Sequence, residues 1–293
     1  FNWTYTLGTG LLDPWAIGAM ALIPSAGTKP AQLPLLMRRH DATVFAAAPG
    51  VYRQMLRGAE ALDLPKLRHG LSAGEKLSEN IRNAWHAATG RAVHEALGMS
   101  ECSTYLSGSP ARPAPAGSSG YPQRGRRLAI LGSDGRPVPC GTPGTLAIHR
   151  DDPGLMLGYL DAPEATKSPL SGDWFLTGDT ASMAEDGAIT FHGRIDDMMN
   201  AGGFRVSPLE VEAALAGFPG ITEIACTEVE VKADTTVIGA FYAGPVELDH
   251  SELAAFAAEN LASYKCPRLY RRLEGLPRNA NGKINRRALG GLH

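Results

Sequence analysis

The chain has 293 residues, of which 44% are apolar and 20% charged, a composition that is typical of a globular protein and excludes a disordered one. Its 28 basic and 30 acidic residues give a net charge of −2, which argues against nucleic acid or an anionic membrane surface as the main partner. No apolar run approaches the ~20 residues that span a bilayer. The four cysteines form no CxxC pair, so we expect a reduced, cytoplasmic chain.

The first hundred residues alternate short apolar runs with helix-like segments. Strands are predicted over residues 42–48, 68–74 and 92–97. Helices are predicted between them, over 49–56 and from an N-cap at Ser78 to a stop at Gly90. This order predicts a parallel sheet, in which ligands bind at the carboxyl ends of strands, here in the loops after residues 71 and 97.

The remainder divides into a β-meander and a small α+β domain. After a loop rich in Ser, Gly and Pro at 107–122, meander strands are predicted at 128–131, 144–149 and 188–191. From residue 196 onward, Ser207-Pro208-Leu209-Glu210 has the sequence of a capping box that opens a helix ended by Gly217. Two β-rich stretches and a further helix follow, over 224–231, 236–242 and 251–262. We therefore predict an α/β chain with two domains, residues 1–195 and 196–293.

Gly98-Met99-Ser100-Glu101 follows a predicted strand and could form part of a ligand site. Glycine permits close backbone approach, a serine hydroxyl can bond a phosphate oxygen, and a carboxylate can hold Mg²⁺. The alternative is an ordinary strand-to-loop turn with solvated polar side chains.

Three further clusters have similar alternatives. Asp179, after Gly178, could accept hydrogen bonds from ribose hydroxyls or be a turn aspartate. Arg194 could bind hydroxyls or phosphate, or form a surface ion pair beside a flexible linker. Lys283, on a turn that contains glycine, provides a localised positive charge. It lies among eight basic residues from position 265 onward, which form a solvated face or suit a phosphate-rich partner.

In this order and spacing, the motifs resemble the adenylate-forming superfamily of acyl- and aryl-CoA synthetases, nonribosomal adenylation domains and luciferases. The motifs are Ser72-Ala-Gly-Glu75, Gly98-Met-Ser-Glu101, Trp174…Thr177-Gly-Asp179, Gly193-Arg-Ile-Asp-Asp197, Ala201-Gly-Gly203 and Asn281-Gly-Lys283. The opening segment and residues 72–75 are most similar to the benzoate–CoA ligase branch. The resemblance implies the C-terminal part of a large adenylating domain (a parallel sheet with helices plus a β-meander) and a mobile small α+β domain.

The resemblance also implies a two-step reaction. With Mg²⁺ present, a carboxylate attacks the α-phosphate of ATP to give an acyl-adenylate and pyrophosphate. The small domain then rotates, and the CoA thiol attacks the activated carbonyl. Lys283, Glu101 and Ser100 would be catalytic, with Glu101 on Mg²⁺. The other implied roles are nucleotide binding (Gly74, Glu75, Ala96, Leu97, Gly98, Asp179, Arg194), a hinge (Asp196), a CoA tunnel (Gly202, Gly203) and an acyl pocket (Trp3, Tyr5, Met99, Cys102). Trp3 and Tyr5 are equally consistent with core packing.

One expected motif does not occur in the sequence. The Ser/Thr/Gly-rich loop ending in lysine, which wraps the β- and γ-phosphates in this superfamily, is absent from the 293 residues, and the chain begins at Phe1 without Met. We expect that loop upstream of Phe1, and therefore expect this chain by itself to be a poor catalyst. Besides a ligase for an aryl or short acyl acid, the sequence allows an adenylation domain that loads a carrier protein, or a non-catalytic remnant, and it leaves the oligomeric state open.

Overall fold

The computed structural model describes residues 4–58, 61–201, 204–232, 235–279 and 282–292. The chain divides into two compact units. Unit 1 comprises Phe1–Thr177 and Ala181–Phe191, and unit 2 comprises Gly178–Thr180 and His192–His293. The division at 191/192 lies close to the boundary predicted at 195/196, which stays a prediction.

Unit 1 is built from short helices and two sheets. Its helices are α1 (Thr4–Leu7), α2 (Asp13–Ala16), α3 (Leu33–Arg39), α4 (Pro49–Leu56), α5 (Glu79–Thr89) and α6 (Pro163–Lys167). The strands of the first sheet are β1 (Val44–Ala47), β2 (His69–Ala73), β3 (Val93–Met99), β4 (Ser103–Ser107) and β5 (Tyr121–Pro122). Those of the second are β6 (Leu128–Leu131), β7 (Gly144–His149), β8 (Leu170–Ser171), β9 (Trp174–Met183) and β10 (Ile189–Arg194), the last two extending into unit 2.

The first sheet has the order β1-β2-β3-β4-β5. The parallel pairing predicted for its first three strands is confirmed. Strands β4 and β5 were not predicted; both pair in antiparallel fashion, and β5 lies within the segment 107–122 that was predicted to be a loop. Helix α5 begins and ends as predicted: the Ser78 hydroxyl accepts from the Ile81 amide at 3.4 Å, and Gly90 takes a left-handed conformation with φ 68°. Its buried face, which includes Trp85, packs in the unit's core.

The second sheet contains the predicted meander strands and has the order β10-β9-β7-β6, with β8 paired to β9. Leu146, Ile148 and Phe175 are buried in one hydrophobic cluster, and Ala147, between the first two, is buried in another with Ala129 and Leu131. Successive residues of a strand point to opposite faces, so both faces of β7 are covered at these positions. The prediction of a partial α/β domain followed by a small domain is confirmed.

Unit 2 is a small α+β fold. Its elements are β11 (Met199–Ala201), β12 (Phe204–Val206), α7 (Pro208–Leu215), β13 (Glu223–Lys232), β14 (Thr235–Ala243), α8 (His250–Asn260), β15 (Leu269–Leu273) and α9 (Arg286–Gly290). Strands β11 and β12 form an antiparallel pair. Strand β14 lies between β13, which is antiparallel to it, and β15, which is parallel. Val211 and Leu215 of α7 are fully buried in the core of this unit.

The predicted capping box at α7 is wrong, although the helix itself is present. Ser207 is the N-cap residue, but its side chain makes no capping hydrogen bond. Its hydroxyl instead donates to the His192 carbonyl oxygen, and the Glu210 carboxylate pairs with Lys265 at 2.5 Å. Tertiary partners therefore take both side chains away from the helix terminus.

Gly98 is required by the close approach of β4 to β3. A Cβ at this position would lie 2.6 Å from the Ser103 carbonyl oxygen and 2.9 Å from the Thr104 Cα. We expect Gly98→Ala to lower the free energy of unfolding by about 1–3 kcal/mol, the usual cost of forcing an extra methyl group into a packed site. Urea denaturation measures this change. Gly50→Ala in α4 is the control, because nothing lies within 4 Å of its Cβ position; an equal loss in both variants would contradict the packing explanation.

Candidate active site

The predicted adenine-lining residues lie at the carboxyl ends of two neighbouring strands of the first sheet. Ala73 of β2 and Ala96 of β3 are register partners in parallel strands. The segments that follow them, Gly74-Glu75 and Leu97-Gly98, therefore start at the same level of the sheet. Gly74 has φ 98°, a left-handed backbone conformation that glycine adopts without strain. The structure thus brings together residues that the sequence placed in two separate motifs.

Ser100 and Glu101 lie on the turn between β3 and β4, where their side chains make specific contacts. The Ser100 hydroxyl is 2.9 Å from the Thr4 hydroxyl. The Glu101 Oε1 accepts from the Tyr159 hydroxyl at 2.6 Å, and this hydrogen bond raises the pKa of Tyr159. The Glu101 carbonyl oxygen also accepts from the Met156 amide at 2.6 Å. Two contacts from one loop therefore fix both the backbone and the carboxylate of Glu101.

Arg126 and Asp152 form an ion pair next to this turn, and sequence reasoning missed both residues. The Arg126 guanidinium donates to the carbonyl oxygens of Cys102 and Thr104 at 2.8 and 2.7 Å, and to Asp152 Oδ1 at 2.7 Å. Asp152 is buried and also accepts from the amides of Arg127 and Gly154. Burial alone would raise the pKa of Asp152, but these hydrogen bonds and the guanidinium lower it. The pair therefore joins residues 102–104 to residues 152–154.

Glu95 is a second residue that sequence reasoning missed. It precedes Ala96 on β3, is 4% exposed, and lies 3.5 Å from the Arg82 guanidinium. Burial raises the pKa of Glu95 from 4.5 to about 7, although Lys76 and Arg82 oppose the shift. A charged residue inside an apolar strand was the available signal, because such residues are rarely buried without a partner.

Within unit 2, Asp179 and Arg194 lie together. Arg194 Nη1 is 3.2 Å from Asp179 Oδ1, and the Asp179 side chain is nearly buried while that of Arg194 is half exposed. Gly178, with φ 75°, leaves room for the guanidinium, since a Cβ there would lie 3.0 Å from Arg194 Nη2. The two residues therefore form an ion pair, and their predicted role in binding ribose hydroxyls stays a prediction. The predicted hinge residue Asp196 is exposed on the short helical turn Ile195–Asp197.

Lys283 is exposed on a hairpin-like turn of unit 2. Its amide donates to Asn279 Oδ1 at 3.0 Å, and its carbonyl oxygen accepts from the Asn279 amide at 2.9 Å. The chain on either side is paired through a bridge between Arg278 and Ile284. The lysine is therefore held by its backbone while its side chain extends into solvent.

The predicted acyl-pocket residues have different environments. Tyr5 is partly buried in α1, where burial raises its pKa, and Met99 is partly buried at the end of β3. Cys102 is 1% exposed within the core cluster of the second sheet, and burial raises its pKa to about 12. Trp3, Gly202 and Gly203 lie outside the described residues, so the structure gives no account of them. These assignments stay predictions.

In the ranges that the structure describes, no helix has both the length and the apolar character needed to cross a membrane. Among the same residues, no group of three or more His, Cys, Asp or Glu side chains is arranged to hold a metal ion.

Family profiles match both parts of the chain. The AMP-binding enzyme profile matches residues 1–160, and the AMP-binding enzyme C-terminal domain profile matches residues 210–283. A curated benzoate–CoA ligase of Thauera aromatica is 32% identical over 96% of the chain. The chain belongs to the AMP-binding enzyme family. It spans about half the length of the curated relatives that it matches, for example 55% of the Thauera protein.

Solved structures of family members have the same fold. An anthranilate–CoA ligase in complex with anthranoyl-AMP superposes with a TM-score of 0.87 at 30% identity, over 99% of this chain and 57% of that one. A benzoate–CoA ligase of Burkholderia xenovorans LB400 gives a TM-score of 0.86 at 29% identity, over 98% of this chain and 59% of that one. The chain is thus similar to aryl–CoA ligases of the benzoate–CoA ligase-like branch.

Gly154 leaves the space that Arg126 occupies. A Cβ on Gly154 would lie 1.4 Å from Arg126 Nη1, so even alanine must displace the guanidinium. We expect Gly154→Ala to lower the free energy of unfolding by about 3 kcal/mol, the scale of a broken buried ion pair. Urea denaturation beside Gly50→Ala measures the loss. Equal stability of the two variants would show that Arg126 does not depend on this space.

Glu95 gives a pH-dependent contribution to stability. Because its folded pKa of about 7 exceeds the usual 4.5, the folded chain binds the proton more tightly, and the free energy of unfolding falls as pH rises between these values. We expect Glu95→Gln to flatten this fall. The measurement is urea denaturation across that pH range. Glu79→Gln is the control, since exposed Glu79 contacts the same Arg82 at 3.4 Å; a Glu95→Gln profile parallel to that of the parent would contradict the assignment.

Proposed function

We propose that the protein carrying this chain is an ATP-dependent acid–CoA ligase. It activates a carboxylic acid as the acyl-adenylate, releasing pyrophosphate, and then transfers the acyl group to the CoA thiol, releasing AMP. The observation that carries the proposal is the set of family motifs at the carboxyl ends of the neighbouring parallel strands β2 and β3 in unit 1. Gly74-Glu75 follows β2, Leu97-Gly98 lies near the end of β3, and Ser100-Glu101 follows β3. Ligands of open parallel sheets bind at this edge.

The side chains at the carboxyl ends of β2 and β3 suit the binding of a nucleotide with Mg²⁺. Mg²⁺ at phosphate-binding sites is usually held by one or two carboxylates together with phosphate oxygens, and the half-buried, anchored carboxylate of Glu101 suits that role. The Ser100 hydroxyl can donate to an α-phosphate oxygen. Magnesium, when bound, neutralises phosphate charge. Backbone groups of residues 74–75 and 96–98 would line the adenine, with aliphatic contact from Leu97 where many family members have an aromatic ring.

Four further roles are proposed for residues of unit 2. Asp179 and Arg194 form a paired acceptor and donor for the ribose hydroxyls. The Lys283 ammonium would neutralise the charge that develops as the carboxylate attacks the α-phosphate, an electrostatic effect that is often the largest single contribution to catalysis. Asp196 is the proposed hinge between the two half-reactions, and Gly202 and Gly203 the proposed CoA tunnel.

We propose an aryl or short acyl acid as the substrate and the cytoplasm as the location. The names of the similar proteins, a benzoate–CoA ligase and an anthranilate–CoA ligase, support an aromatic acid. The test is ATP-dependent pyrophosphate release by the naturally expressed protein with a panel of aromatic and short-chain acids. Acceptor assays with CoA and with a phosphopantetheinylated carrier protein then identify the thiol. No acid-dependent release with any acid would contradict the proposal.

Lys283→Ala should separate the two half-reactions. We expect adenylation to lose about 2.7–4 kcal/mol of transition-state stabilisation, as when one preorganised donor is removed. Thioester formation from supplied acyl-adenylate should change much less, because the attack on phosphate is then complete. Pyrophosphate exchange and thioester release measure the two steps. Lys167→Ala, which removes an exposed lysine of α6, is the control. Equal losses in both steps would remove Lys283 from its proposed role.

A further inference from the structure

The turn that carries Lys283 is fastened at both ends by ion pairs. On the first side, Arg278 donates to Glu223 at 2.5 Å and to the Gly282 carbonyl oxygen at 2.6 Å. On the second side, Arg286 follows Lys283 by three residues and begins α9. Arg286 Nη2 donates to both carboxylate oxygens of Glu212, at 2.7 and 2.8 Å.

Glu212 joins three elements of unit 2. It lies on α7, accepts from Arg286 of α9, and its Oε1 also accepts from the Cys226 amide of β13 at 2.7 Å. The Glu212 and Arg286 side chains are only 12% and 16% exposed. A buried ion pair with this many hydrogen bonds fixes geometry more surely than an exposed pair, whose side chains keep their freedom.

A charged residue beside the predicted hinge residue affects the pKa values of both members of the pair. Burial raises the pKa of Glu212, an effect that Arg286 opposes and Asp197 reinforces. Burial disfavours the charged form of Arg286, but Glu212 outweighs it and raises the pKa of the guanidinium. Asp197 follows Asp196 directly and contributes to both shifts. The pair therefore shares its electrostatic environment with the hinge segment.

We infer that Glu212 is a positioning residue for Lys283: through Arg286 it fixes the second side of the turn and hence the direction in which the ammonium group is presented. This inference rests on the proposed role of Lys283 in adenylation. A lysine side chain is long and flexible, so the reproducible part of its placement is the backbone to which it is attached. A small misplacement of that backbone affects only the step that uses the ammonium.

Glu212→Gln in the naturally expressed protein tests the inference. Glutamine keeps the volume and can still accept from the Cys226 amide, but it loses the charge and the two-oxygen contact with Arg286. We expect the kcat of adenylation to fall about 10- to 100-fold, the scale of a small misplacement of a reacting group, with KM for ATP and acid little changed. Thioester formation from supplied acyl-adenylate should be retained.

Glu210→Gln is the matched control. It lies on the same helix and loses an ion pair with Lys265, but it makes no contact with the Lys283 turn among the hydrogen bonds and ion pairs of the described residues. We expect both half-reactions to remain near the parent value. Arg286→Lys, which keeps the charge but not the two-oxygen geometry, should give an intermediate loss in adenylation and keeps the test open if Glu212→Gln does not fold.

The outcomes separate the inference from the proposed function. If Lys283→Ala abolishes adenylation while Glu212→Gln and Arg286→Lys leave it unchanged, the positioning role is wrong and the proposed function stands. Equal losses in both half-reactions for the Glu212 and Arg286 variants would show a merely structural role and overturn the inference. If Lys283→Ala itself leaves adenylation intact, the proposed function of Lys283 fails first.

Discussion

The candidate site of unit 1 depends on the hydrogen bonds made by the guanidinium group of Arg126. It binds two carbonyl oxygens of the segment after Glu101 and the buried carboxylate of Asp152. Asp152 in turn fixes the start of the loop that provides Met156 and Tyr159 to Glu101. Because the guanidinium donates to three acceptors, one of them a carboxylate, a charged group is accommodated in a largely buried place without the penalty of an unpaired one. The turn with the proposed magnesium ligand is therefore held by contacts within the protein itself.

Unit 2 follows the same principle with different residues. Glu212 accepts three hydrogen bonds, and through Arg286 it fixes one side of the Lys283 turn. In each unit, a buried, hydrogen-bonded ion pair supports the segment that carries a group with a proposed chemical role. That group is the half-buried Glu101 in unit 1 and the exposed Lys283 in unit 2. Such support keeps a reactive group in place while leaving its outer face open. It also separates the residues that contact ligands from those whose loss would act through geometry.

Several motifs predicted in the sequence have a packing role that their letters did not indicate. Gly98 was interpreted as leaving room for a ligand, and the structure shows that the backbone of β4 occupies the space beside it. The Ser207 and Glu210 side chains have the spacing of a capping box, yet His192 and Lys265 are their partners. Local motifs compete with tertiary partners for the same hydrogen bonds, and a sequence shows only the local competitor.

The sequence by itself determined the succession of elements, the parallel start of the first sheet, the start and end of α5, and the family. These follow from local periodicity, cap residues and ordered motifs, all of which are encoded within short stretches. Only the tertiary structure paired Arg126 with Asp152 and Glu212 with Arg286. The members of these pairs are separated by 26 and 74 residues in the chain. The sequence around an arginine or a carboxylate does not indicate which distant residue is its partner, because burial and pairing are decided by how the sheets and helices pack.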